Sequence, residues 1–106
     1  MVKQSKRELT YPIILHHEEI GYSVEIPDIN GAWTEALTKQ EALEKAKDLI
    51  GTTLINQSKR PKPTPLDDII FSSKNGDFKT TVTVDLTYYQ QLMSGQDANE
   101  SNASTN

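Results

Sequence analysis

The stretch GYSVEIPDINGAWTEALTKQEALEKAKDLI, Gly21 to Ile50, decides the fold. It reads as strand, turn, strand, helix. Tyr22, Val24 and Ile26 alternate with Ser23 and Glu25, so a pleated ribbon gains one apolar side and one side for water or a partner. Pro27 then removes a ladder donor, and Asp28, Asn30 and Gly31 favour turn geometry. A second extended run, Ala32 to Ala36, carries Trp33, the single tryptophan of the chain. Thr38-Lys39-Gln40-Glu41 has the spacing of a capping box, in which the threonine hydroxyl accepts from the Glu41 amide and the Glu41 carboxylate reaches back to the Thr38 amide. A helix is therefore predicted from Lys39. Ala42, Leu43, Ala46, Leu49, Ile50 and Leu54 share one face of it, and the two alanines allow close seating on a sheet. Gly51 costs such a helix about 1 kcal/mol without ending the pattern, which runs to about Asn56.

Upstream, Leu9 to His16 alternates as a first strand, with Leu9, Tyr11, Ile13 and Leu15 on one face and Thr10, Pro12, Ile14 and His16 on the other. Pro12 must face a gap or a bulge on its donor side. His16 and His17 are adjacent, point to opposite sides of an extended chain and cannot jointly grip a metal; a strand end is the preferred reading. Downstream, Ser58 to Pro65 holds Pro61, Pro63 and Pro65 and is an extended spacer between packed elements, preferred to a proline-rich ligand motif. Leu66 to Phe71 fits a short helical turn or an edge strand. Phe78, Thr80, Val82, Val84 and Leu86 alternate with Lys79, Thr81, Thr83 and Asp85 to give a fourth strand after a turn at Asn75-Gly76-Asp77. Thr87-Tyr88-Tyr89-Gln90 repeats the capping-box spacing and predicts a short helix through Met93.

The element order predicts an α+β domain: a three-stranded antiparallel meander, one main helix packed on the sheet, a fourth strand and a short C-terminal helix. Its organisation is a flexible arm over 1–8, a domain over 9–93 and a disordered polar tail over 94–106. With 106 residues the chain can bury one modest core, and a folded unit of this size gains from dimerisation. The absence of cysteine excludes disulfides and thiolate metal sites and fits the cytoplasm. No signal peptide follows the basic N-terminus, and Ile13-Ile14-Leu15 is far too short to span a bilayer. A formal charge of -4 and a pI near 5.1 disfavour a phosphate backbone as the main ligand and favour a basic partner.

The phrase Gly21-Tyr22-Ser23-Val24-Glu25-Ile26-Pro27-Asp28-Ile29-Asn30-Gly31, followed by Thr38 and Glu41-Ala42-Leu43, resembles the HicB family, antitoxins of HicA–HicB toxin–antitoxin pairs. The likeness covers residues 9–57 and, more loosely, the fourth strand. It implies a partial RNase H fold in which the fourth strand joins the sheet beside the first. It also implies a partner, HicA, a small basic RNA-cleaving toxin with a catalytic histidine that the antitoxin covers. Trp33 and Glu35-Ala36 stand where the family usually has a small residue or cysteine and a Gly-Asp step, so the local surface differs.

An RNase H-type nuclease would need clustered carboxylates, one of them on the first strand, and Leu9 to Leu15 holds none. No catalytic residue, metal site or cofactor is expected. The fourth strand and following helix look like the first half of a ribbon-helix-helix unit, with Lys79, Thr81 and Thr83 as outward readers of operator DNA. The polar tail after Ser94 offers nothing to complete its dimer core, and a sheet strand with a polar outer face is preferred. The expected function is neutralisation of a HicA-like toxin, by a homodimer joined through sheet edges or the fourth strand. Tyr22, Glu25, Asp28, Trp33 and Glu35 surround the turn and are the candidate contact residues. For Tyr22 and Trp33 the competing reading is core packing against the helix.

Overall fold

The computed structural model describes residues 8–73 and 76–92. The expected arm, except Glu8, the expected tail, Met93 and part of the turn at Asn75 lie outside them. Four strands, β1 (Glu8–His17), β2 (Tyr22–Glu25), β3 (Trp33–Ala36) and β4 (Phe78–Asp85), form one antiparallel sheet in the order β3-β2-β1-β4. Helix α1 (Lys39–Leu54) follows β3, a 3-10 turn occupies Leu66–Asp68, and a short helix α2 covers 86–92. The α+β architecture is the predicted one, with β4 beside β1.

Register sorts the side chains into two faces, because directly paired residues project the same way. Leu15 opposes Val24 and Phe78, Tyr11 opposes Val82, and Leu9 opposes Val84. This face receives α1 through Ala42, Ala46, Ile50 and Leu54, all fully buried. The alanines bring the helix close, and Ile50 and Leu54 each contribute roughly 1.5–3 kcal/mol by leaving water. Thr38 caps α1 as predicted, its hydroxyl accepting from Glu41 N–H at 3.1 Å. The Glu41 carboxylate reaches back one residue further than the capping-box pattern predicts, to Leu37 N–H at 2.9 Å.

The opposite face of β1 is covered as well. Pro12 and Ile14 are buried there as deeply as the core. The chain after α1 returns across them: Ile14 lines a groove with Ile69, Ile70 and Phe71, and Lys79 donates to the Leu66 and Ile69 carbonyls at 2.8 and 3.1 Å. Leu66 to Phe71 is thus a 3-10 turn running into an extended segment, without sheet pairing. The proline spacer ahead of it is pinned. Asp28 accepts from Thr64 N–H at 2.8 Å and from the Thr64 hydroxyl, and Tyr11 OH donates to the Pro61 carbonyl. Pro12 sits where β2 no longer accompanies β1, since that pairing begins at Ile14, and this supplies the gap proline needs.

The fourth strand ends one residue early, at Asp85, and Leu86 opens α2 while staying buried. Asp85, rather than Thr87, is the capping residue: its carboxylate accepts from Thr87 N–H at 2.9 Å. Tyr89 of α2 lies on α1, donating to Asp48 at 2.6 Å, with its ring over Gly51. Burial first, and then the Asp48 carboxylate, raise the pKa of this phenol.

Two substitutions test these contacts by urea unfolding. A Cβ at Gly51 would overlap the Tyr89 ring; Gly51→Ala is expected to destabilise by about 1–3 kcal/mol, although alanine is the better helix former in an open site. Asp28→Ala leaves Thr64 without its acceptor and is expected to cost about 1–3 kcal/mol.

Candidate partner-binding face

His16 is the centre of the sheet face opposite α1. Its Nε2 lies 2.9 Å from Glu25 Oε1 and its Nδ1 3.0 Å from Asp77 Oδ2. The other Asp77 oxygen accepts from His17 N–H at 2.8 Å. The imidazole also stacks on Trp33, with ring centroids 5.4 Å apart and planes 19° from parallel. Sheet register explains the cluster. Glu25 is the cross-strand partner of both Ile14 and Trp33, and His16 is one same-face step along β1 from Ile14. Paired positions in β1 and β4 sum to 93 (15 and 78, 8 and 85), and 16 and 77 continue that series.

Burial lowers the basicity of His16, and the hydrogen bonds to Glu25 and Asp77 outweigh it, so the pKa rises above the ordinary 6.5. The Asp77 carboxyl is held below its usual range, first by the His17 N–H bond and then by His16. A groove of about 470 Å³ opens over this cluster between Pro27 and Glu25 on one side and the 68–72 segment on the other. Trp33 is 53% exposed and Ile70 93% exposed.

The five candidate contact residues divide. Glu25 and Trp33 meet at His16, and Trp33 lies away from α1, so its competing reading as core against the helix does not hold. Glu35 is exposed on the same face of β3, two residues on. It also lines a second groove, of about 510 Å³, with Glu18, Ile20, Tyr22 and Leu37. Tyr22 turns to the α1 face, half-buried, with its ring edge to His17 at 5.3 Å. Asp28 is not gathered with them, because its carboxylate is committed to Thr64. Lys79, Thr81 and Thr83 share the open face, yet the Lys79 ammonium is engaged by carbonyls and the Thr83 hydroxyl bonds Thr10 at 2.8 Å. Sequence reasoning missed His16 as an organising residue. The cross-strand Glu25 was a signal for it, whereas Asp77, 61 positions away, was not visible without the register. Among the described residues no group of three or more His, Asp or Glu could hold a metal ion.

A family model described as a HicB-like antitoxin of bacterial toxin–antitoxin systems matches residues 11–97. An uncharacterised 14.9 kDa protein of the rep-hol intergenic region of Haemophilus phage HP1 is 33% identical over 85 residues, 76% of this chain and 64% of that one. Antitoxin HicB 2 of Photorhabdus laumondii is 36% identical over 61 residues, covering 56% of this chain and 44% of the relative. The chain thus spans roughly half to two-thirds of these relatives' length. A solved toxin–antitoxin complex from Streptococcus pneumoniae contains a chain of the same fold, with TM-score 0.65, 23% identity, and coverage of 77% of this chain and 72% of that one. With strand order, helix placement and the match over 11–97 in agreement, the chain belongs to the family of HicB-like antitoxins of bacterial toxin–antitoxin systems.

Proposed function

We propose that this chain neutralises a small basic HicA-like ribonuclease by covering its active site, acting in the cytoplasm and without catalysis of its own. One observation carries the reading: an indole, 53% exposed, lies across from Glu25 and two residues from Glu35 on the same sheet face. An exposed aromatic flanked by carboxylates can anchor a basic partner, and the acidic balance of the chain speeds encounter. Glu25, Trp33 and Glu35 form the contact, with Tyr22 and Ile20 at its flank. Asp28 acts from behind it, by fixing the turn to the spacer. On the same reading, homodimerisation uses the outer edge of β4, which has no strand beside it among the described residues.

Operator binding through Lys79, Thr81 and Thr83 finds less support, since the lysine ammonium already serves the backbone of the 66–69 segment. Among the described residues no helix is long and apolar enough to cross a membrane.

Co-expression with the basic product of the neighbouring reading frame tests the function directly: the two should co-purify, and the chain should suppress RNA cleavage by its partner. Trp33→Ala should weaken binding by roughly 30-fold, corresponding to about 2 kcal/mol. Combined Glu25→Lys and Glu35→Lys should slow association and reverse its salt dependence. Unchanged affinity in both variants would remove the face from the interface, and RNA cleavage by the chain alone would remove the function.

A further inference from the structure

Both nitrogens of His16 face carboxylate oxygens, at 2.9 and 3.0 Å. Only the protonated imidazole can donate to both. A neutral ring has one N–H, so its second nitrogen would set a lone pair against a carboxylate. That conflict has consequences because the three side chains sit on three parts of the fold: β1, β2 and the residue preceding β4.

We propose that His16, Glu25 and Asp77 form a proton-operated latch beneath the candidate partner face, closed when the imidazole is charged and open when it is neutral. The inference rests on the reading of that face given above, whose regulation it names. The two carboxylates are not equally held. Asp77 keeps a second anchor in His17 N–H at 2.8 Å, and among the described residues the Glu25 carboxylate bonds only His16. Proton loss therefore releases Glu25. The ring then loses the restraint that holds it within 19° of the Trp33 plane.

The other charged groups around the ring do not substitute for the proton. Asp68 lines the same groove and adds negative charge, and the Lys79 ammonium is engaged by the Leu66 and Ile69 carbonyls. Glu18 is bonded to Ser23, the cross-strand neighbour of His16, at 2.7 Å. Glu35 stands across from that same serine. His17 turns to the opposite face, against Tyr22. The two carboxylates that raise the His16 pKa above 6.5 fix the direction: the latch is closed below the folded-state pKa and opens as pH rises through it. Opening exchanges a neutralised Glu25 for a free carboxylate beside an unstacked indole. A basic partner is bound more tightly on the alkaline side.

Trp33 is the single tryptophan, so its emission reads this site in the intact free chain. A charged imidazole stacked on an indole quenches it. Emission is expected to rise through one transition with a midpoint above 6.5, to stay flat in His16→Gln, and to keep the transition in His17→Gln. Glu25→Gln retains the imidazole and should lower the midpoint by roughly half a unit to one unit, in a chain whose fold is checked by circular dichroism. A midpoint at or below 6.5, or a transition that survives in His16→Gln, would overturn the latch. Because the measurement needs no partner, failure to bind a ribonuclease would sink the proposed function and leave this result standing. In a chain that does bind, affinity that is level across the midpoint would overturn the coupling.

Discussion

From Tyr11 to Leu15, strand β1 has five consecutive buried residues, and the described elements around it are placed by the need to cover them. A strand buried on one face needs one layer; here both faces are covered over the same five positions. The helix supplies the first cover, over Tyr11, Ile13 and Leu15. Over Pro12 and Ile14 the second is the return segment after α1, an irregular run that holds the 3-10 turn at Leu66–Asp68. Such a segment holds its position only when its backbone polar groups find partners. Tyr11, Asp28 and Lys79 provide them, from β1, from the β2–β3 turn and from β4. The polar residues of this domain are therefore used first to fasten the thinner cover, and what remains uncovered of the sheet face is the part that carries His16, Glu25 and Trp33.

Alternation and capping made most of the architecture legible in advance. Val24 and Ile26, Ala42 through Leu54, and Val82 and Val84 all point where their period places them, because local spacing determines which face of an element is apolar. What spacing alone leaves undecided has one cause. Alternation puts Ile14 and Pro12 on one face of β1 without saying that a distant segment lies on it. Leu86 looks like the last residue of a strand until Asp85 caps a helix in its place. Trp33 invites a core assignment by its size, and only the pairing of β3 with β2 turns it away from the helix. Each of these depends on contacts between residues far apart in the chain, which periodicity does not encode.

The candidate site divides along the same line. Glu25, Trp33 and Glu35 were found by residue type and nearness to the turn, and register brings them onto one face. Asp28 has the same chemistry and the same neighbourhood, yet Thr64 claims it. His16 reads from the sequence as a strand end, because its neighbour His17 points to the other face. Carboxylates on two other elements give the ring its place.

Asp77 also has a bearing on how the sheet finds its alignment. One of its oxygens holds the backbone of His17 and the other the ring of His16, so a single side chain reads two successive positions on β1 at once. Were β4 to slide along β1 by one residue, Val82 and Val84 would leave the helix side, and this carboxylate would meet neither of its donors. Hydrophobic sorting and a polar check at the far end of the ladder thus reject the same mistake independently, as a key with two cuts rejects a neighbouring lock.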